Sequence, residues 1–243
     1  MGSRRIRGIT VGCALLAVLV LSAAAAAAVA YGPPAGSPDL GQMAVSATDF
    51  TGSRVGTQGY VKPDSETLAE YDRDLSGSSV GGQRLVYLED DVLLYKDQSR
   101  ADFIVGALGL SAALTASDLA KSFSKSSGLK VTYTKIGRPQ NLGYGERSQA
   151  IVIHLGTKLG ELRIVYGAVR VGNVVSFIFF FGAPRAQIGV NHAKQIARLT
   201  VQHIRKALVP TNTVAPTISG TAQAGQTLSL QVGSWVSAPV TYA

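Results

Sequence analysis

The sequence predicts an α+β fold: a sheet of consecutive strands with helices laid against it, followed by a short all-β tail. Three observations carry that expectation. Residues 130–181 read as strands in series, joined near their end by a Gly-Asn turn. Residues 101–126 and 193–208 have helical composition or spacing. Residues 209–243 contain no Asp, Glu, Lys or Arg at all.

The chain opens with Arg4, Arg5 and Arg7, then an apolar run from Ile9 to Ala30 without a charged residue. A basic head before an apolar stretch is what an export machinery inserts. The stretch closes on Ala28-Val29-Ala30, a small-x-small pattern that suits a signal peptidase, so the secreted form is expected to begin at Tyr31. An uncleaved anchor is the alternative, since about 20 apolar residues suffice to span a bilayer. The alanine-rich second half favours cleavage. Cys13 is the single cysteine and falls within residues 1–30, so the expected mature chain has no disulfide and no thiol nucleophile. It must be held together by burial, and residues 31–208 are long enough for one domain with a core of its own.

Within that domain, Gln58 to Val61 reads as a short early strand, and Ser65 to Tyr71 as a short helix with Ser65 as N-cap. Arg84 to Tyr95 is apolar on both sides of Glu89-Asp90-Asp91: either a strand pair with an acidic turn or one long bulged strand. Ala101 to Ser126 is rich in Ala and Leu and reads as helix, with a break expected near Ser111 or a restart at Thr115 or Ser117. Strands follow over Lys130–Ile136, Gln149–Leu155 and Glu161–Val171. Gly172-Asn173 between apolar runs is a tight-hairpin signal. Val174 to Phe181 is apolar except at Ser176, so this strand should be central, covered on both faces. In the last helix Ala193, Ile196, Ala197, Thr200, Ile204 and Leu208 share one face, while Lys194, Arg198, Gln202, Arg205 and Lys206 lie around the other. Pro210 and Pro216 bracket a boundary: residues 209–215 are read as linker and 216–243 as a separate piece.

Charge is divided along the chain. Residues 31–118 hold 6 basic and 13 acidic residues, residues 119–243 hold 14 and 2. Such polarity suits an anionic partner (a wall polymer, an anionic lipid or an acidic protein), unless the two halves intermix in space and neutralise each other. Export and the lack of a basic-aromatic motif argue against nucleic acid.

Gly77-Ser78-Ser79-Val80-Gly81 matches the G-x-S-x-G string of serine hydrolases, but that chemistry needs the serine on a strand-to-helix elbow, and a strand follows here. His154, His192 and His203 are too far apart in sequence to form a zinc motif, and no Cys/His cluster exists. Asp72-Arg73-Asp74 and Glu89-Asp90-Asp91 offer hard oxygen ligands, yet the Asp-rich calcium loop is missing, and solvated turns are the plainer expectation. Phe177, Phe179, Phe180 and Phe181 read as core, or as an apolar pocket if the sheet face under the middle helix stays partly open. No phosphate-binding glycine loop occurs; Gly106 and Gly109 fall inside a helix. Neither a metal nor a cofactor is expected.

The tail carries Ala215-Pro216-Thr217-Ile218-Ser219-Gly220, Ala224-Gly225-Gln226-Thr227-Leu228 and Gly233-Ser234-Trp235, which resembles the opening of bacterial immunoglobulin-like repeats on exported proteins of actinobacterial type. At 28 residues, 216–243 is a partial repeat, because a sandwich needs about 100 residues. The element order of residues 40–208 resembles the PsbP-like α/β sandwich. That resemblance implies a curved antiparallel sheet packed with long helices, and a binding or assembly role without catalysis. The expected function is therefore a non-catalytic secreted or cell-envelope binding protein, with no membrane span in the mature chain. The alternative is an extracytoplasmic hydrolase using Ser79 or the Asp72/Asp74 carboxylates.

Overall fold

The computed structural model describes residues 31–33, 36–127, 130–209 and 211–236. The leader, Cys13 and the cleavage-site residues Ala28 and Ala30 lie outside the described residues; Tyr31 is exposed.

One sheet organises the chain. Its strands are β1 (Arg54–Val61), β2 (Thr67–Ser76), β3 (Ser79–Val80), β4 (Gln83–Tyr95), β5 (Val131–Ile136), β6 (Gln140–Asn141), β7 (Arg147–Thr157), β8 (Gly160–Val171) and β9 (Val174–Gly182). The main path runs β1-β2-β4-β9-β8-β7-β5, with β3 pairing β4 and β6 pairing β7. Every pairing in it is antiparallel. β9 sits at the middle of this path, as its run of apolar residues, broken by Ser176, requires. The β8–β9 connection is the expected tight turn, with Gly172 at φ 61° between the paired Val171 and Val174.

One strand is not what the sequence suggests, and another decides between the two alternatives it leaves open. Thr67–Ser76 is a strand rather than a helix begun at Ser65. Gln83–Tyr95 is one long strand running straight through Glu89-Asp90-Asp91, with its irregularity between Leu85 and Tyr87 rather than at the acids. β2 and β4 pair along eight residues of register.

Three helices cover parts of the sheet. On the front face lie α1 (Gln98–Gly106) and α2 (Leu108–Ser127); on the back lies α3 (Val190–Ala207). The break between α1 and α2 falls at Ala107, earlier than expected. Asp97 caps α1 by accepting the Arg100 N–H. Gly109 is glycine for a packing reason: a Cβ there would stand 2.5 Å from the Pro139 ring. α2 buries Ala112, Ala116, Leu119 and Ala120 against Ile151, Ile153 and Ile164, and α1 buries Ala101 and Val105 against Leu93, Val175 and Phe177. On the back, α3 sets Ala193, Ile196, Ala197, Val201 and Ile204 on Leu88, Ile178 and Phe180. Full burial of one such large apolar side chain stabilises by about 1.5–3 kcal/mol.

The fold expected from the PsbP-like resemblance, a sheet packed with long helices, is thereby corrected. A large antiparallel sheet dominates, and the β1–β2 side carries no helix on its front. The physical reason lies in β2 and β4, whose alternating acids mimic a helix start and a turn.

The segment before β1 closes the back face beside α3. Two 3-10 turns, Leu40–Gln42 and Ala47–Asp49, bury Leu40, Met43, Ala44 and Val45. Arg73 holds them from β2, donating to the carbonyls of Gly41, Ala44 and Val45 at 3.1 Å each. Asp90, fully buried, accepts the Val45 N–H at 2.8 Å and the Ser176 hydroxyl at 2.6 Å. His203 of α3 approaches the Ala44 carbonyl at 3.2 Å and Asp49 at 3.4 Å.

In the tail, the described residues form two short antiparallel strand pairs. β10 (Thr211–Val214), inside the expected 209–215 linker, pairs with β13 (Ser234–Val236), and β11 (Thr217–Ser219) pairs with β12 (Ser229–Gln231). Ile218, Leu228 and Leu230 remain exposed. Among the described residues no helix is long and apolar enough to cross a membrane.

Two outcomes follow from this architecture. Asp90→Ala strands the Val45 amide and the Ser176 hydroxyl, so it should cost about 3 kcal/mol in chemical denaturation. Ending the chain after Leu208 should leave the main unfolding transition within a few degrees of the full chain in calorimetry, because the tail buries little apolar surface.

Candidate functional site

Strand alternation builds an acidic face. On β2 the two-residue spacing of Glu70, Asp72 and Asp74 sends all three to the front, while Tyr71, Arg73 and Leu75 point back. On β4, Tyr87, Glu89 and Asp91 point forward and Asp90 points back. Register then sets Asp72 opposite Asp91 and Asp74 opposite Glu89. The next strands continue both rows with rings: Asp91 faces Phe177, Glu89 faces Phe179, and Phe179 faces Tyr166.

The result is a two-by-two array of carboxylates walled by aromatics. Glu89 is 5% exposed, Asp91 and Asp74 6%. Tyr87 donates its hydroxyl to Asp74 at 2.6 Å, and Thr57 of β1 donates to the other Asp74 oxygen. The Tyr87 ring stacks on Phe181 at 5.7 Å, and Tyr166 on Phe177 at 6.0 Å. Three oxygens have no partner: Asp72 Oδ1, Glu89 Oε2 and Asp91 Oδ1. Among the described residues no Lys, Arg or His forms an ion pair with Glu70, Asp72, Asp74, Glu89 or Asp91. The front-face arginines are committed elsewhere: Arg100 to Glu66 at 3.3 Å, Arg147 to Asp102, and Arg170 to Glu146 at 2.7 Å and Asp102 at 3.3 Å. The array opens toward solvent along β2, where Glu70 and Asp72 are partly exposed.

Buried acids without a counter-charge hold their protons. Burial, with the charges of Asp74 and Asp72 beside it, pushes Glu89 up to about 8. Burial and the neighbouring Glu89 and Asp72 hold Asp91 well above the usual carboxylate range. Burial and then Asp74 raise Asp72 to about 6; burial, then Asp72 and Asp64, raise Glu70 to about 7. The Tyr87 and Tyr166 hydroxyls are raised by burial and by the same acids, and remain neutral donors. Near neutral pH the array is thus part acid and part anion, and an arriving positive charge would draw out its protons.

The other expected site residues are dispersed. Ser79 is exposed on β3, its N–H bonded to the Thr51 carbonyl, in a ladder with β4 rather than on an elbow. Ser78 is the buried one, paired with the Ser53 hydroxyl at 2.8 Å. The His192 ring lies beside this loop, 3.2 Å from where a Gly81 Cβ would stand. Its Nδ1 accepts the Gly189 N–H, and burial lowers its pKa. No hydrogen bond joins it to Ser79 among the described residues. His154 meets Glu161 at 3.2 Å across the β7–β8 ladder, and His203 is on α3 behind the sheet. Asp72 and Asp74, in contrast, are brought against a second pair of carboxylates. The expectation that the acidic triplets are solvated turns is overturned: they lie inside paired strands. Of the phenylalanines, Phe177 and Phe179 border the array, while Phe180 is core behind it. Among the described residues no three His, Cys, Asp or Glu side chains are placed to close on one metal ion. A polar recess lined by Asn141 and residues 143–149 is separate from the array.

The proton balance gives a signed outcome. The native state binds more protons than the unfolded chain from about pH 4, where free carboxylates titrate, to about pH 8, where Glu89 does. Stability should therefore fall as pH rises through that window. Glu89→Gln should raise stability at pH 8.5 by on the order of a few kcal/mol and flatten the slope. Thermal unfolding from pH 5 to 8.5 checks both, and a melting temperature that climbs with pH would reverse the account.

No protein-family model matches this sequence, and no curated protein matches it. Among solved structures it is similar to the crystal structure of the extracellular domain of PknH from Mycobacterium tuberculosis, at 12% identity and a TM-score of 0.42, over 68% of this chain and 94% of that one. A likeness at this level fixes neither family nor activity.

Proposed function

We propose that the chain is a non-catalytic, extracytoplasmic binding domain, and that the carboxylate–tyrosine array takes an organic cation: an ammonium or guanidinium group of a polyamine or a basic side chain. The observation that carries this is the set of three buried, unpartnered oxygens on Asp72, Glu89 and Asp91 with no cation beside them. Leaving such groups unmatched costs several kcal/mol unless a proton or a ligand's charge satisfies them. The shape of the array selects the class. Four carboxylates spread over two rows and two strands do not close on one ion, but they suit donors spaced along an organic chain. The bordering rings of Tyr87, Tyr166 and Phe179 add cation–π attraction worth about 0.5–2 kcal/mol. The basic-headed apolar leader supports the extracytoplasmic placement.

A second reading is favoured by one observation. The pairing of Asp74 with Glu89 places an acid raised to about 8 next to a hydrogen-bonded carboxylate, the combination that an acid-assisted hydrolase on Asp72/Asp74 would need. Asp74, Glu89 and Asp91 are nearly closed to solvent, which bears on both readings alike, and either ligand would enter along β2, where Glu70 and Asp72 are partly exposed.

Thermal shift with spermidine separates the readings. At pH 8 spermidine should raise the melting temperature by several degrees, and at pH 5, with the acids protonated, by far less. Glu89→Gln combined with Asp91→Asn should abolish the shift. The net charge of +8 keeps non-specific attraction of a polycation low. If calcium shifts the transition and spermidine does not, the array is a metal site. If neither does, it only shares protons. Hydrolysis of a chromogenic glycoside that is lost in Asp74→Asn would establish the enzyme instead.

A further inference from the structure

We infer that the outward ridge of α3 is a docking surface for a linear polyanion, independent of the carboxylate array. α3 has no acidic residue along its 18 positions. Its apolar side is spent on the core, with Ala193, Ile196, Ala197, Thr200, Val201 and Ile204 all buried. The outward side presents Lys194, Arg198, Arg205 and Lys206, all exposed. None of the four makes an ion pair or a side-chain hydrogen bond among the described residues, although eight such pairs form elsewhere.

The absence of local neutralisation has a structural cause. The carboxylates of the acid-rich first half point mainly to the front of the sheet, and the sheet stands between them and α3. The acids on the back are already engaged: Asp90 by Val45 and Ser176, Asp49 by His203 and Ser46, and Asp39 by Tyr60. Four like charges on one helix repel one another, and no acid at helical spacing offsets them. An anion along the ridge would relieve that repulsion.

Geometry and chemistry together choose the partner. Lys194, Arg198 and Arg205 follow one line of the helix, at about 6 Å and then about 10 Å steps for the 1.5 Å rise per residue. That line of about 16 Å suits a polymer bearing an anionic group every few ångströms and exceeds what one phosphate or carboxylate can bridge. The exposed positions Lys194, Gln195, Arg198, Gln202, Arg205 and Lys206 include no apolar side chain to insert into a lipid interface, so a membrane surface is the poorer match. The ligand class is therefore a linear polymer with a phosphate or carboxylate anion on each repeating unit.

The test uses the full chain and two probes, fluorescently labelled linear polyphosphate and polygalacturonate. Fluorescence anisotropy at 50 and 200 mM salt should show binding that weakens steeply with salt. Replacing Lys194, Arg198 and Arg205 together by glutamine should weaken it at least tenfold. It should leave the melting temperature and the spermidine response unchanged, so failure here is distinguishable from failure of the cation site. Lys121→Gln with Lys125→Gln, a neutralisation on α2, should leave polymer binding near the wild-type value. The inference is overturned if the triple variant binds like wild type, or if the α2 variant loses as much. It is also overturned if free phosphate competes as well per phosphate as the polymer, or if phosphatidylglycerol vesicles bind while both polymers do not.

Discussion

The β2–β4 ladder sets the terms for the rest of the molecule. Over three residues on each strand it places five carboxylates and one arginine, and buries four of the carboxylates, Asp74, Glu89, Asp90 and Asp91. Alternation divides them. Arg73 and Asp90 go back, where the Arg73 fork and the Asp90 oxygens satisfy the backbone of residues 41–45. Asp72, Asp74, Glu89 and Asp91 go forward, where Asp74 receives the Tyr87 and Thr57 hydroxyls and one oxygen each of Asp72, Glu89 and Asp91 is left without a partner among the described residues. One ladder therefore carries a fully satisfied polar network on one side and an unsatisfied one on the other. Natural cores rarely keep the second kind unless a proton, a ligand or a conformational step completes it. The back network explains how an N-terminal segment with little regular structure is held so firmly. The front array gathers three buried, unpartnered carboxylate oxygens, and functional sites concentrate at such places.

The division of charge along the sequence acquires a spatial meaning from the same ladder. The acids of the first half do not simply intermix with the cations of the second. Some do pair, as Asp102 does with Arg147 and Arg170 beside α1. The unmatched remainder is separated by the sheet, with carboxylates under the front and the α3 cations on the back. The two charged faces thus lie on opposite sides of the sheet, each with its own local field.

Much of the fold was legible because the relevant signals are local. The Gly172-Asn173 turn, the apolar run that makes β9 central, and the face of Ala193, Ile196, Ala197, Thr200 and Ile204 on α3 all stand as their spacing implies. What was not legible turns on tertiary context. Ser65 looks like a helix cap, yet the chain continues as strand because Thr67–Ser76 finds a partner in β4. Glu89-Asp90-Asp91 looks like a solvated turn because three adjacent acids are seldom buried. The usable signal was the two-residue spacing of Glu70, Asp72 and Asp74, alternating with Tyr71, Arg73 and Leu75. That pattern is a strand with one apolar face and one acidic face. Nothing local to Tyr166 or Tyr87 marks them as walls of a site; their role comes from a register that spans about 80 residues of chain.

The central claim is that the front carboxylates are buried without a counter-charge, and the direct measurement is a site-resolved NMR titration of the side-chain carboxyl carbons in the ligand-free protein. The account places the midpoint of Glu89 near 8 and that of Glu70 near 7, with Asp91 also well above the range of free carboxylates, and moves them toward ordinary values when spermidine is added. Midpoints between about 3 and 5 for all of these groups would contradict it, for the array would then be either solvated or already neutralised.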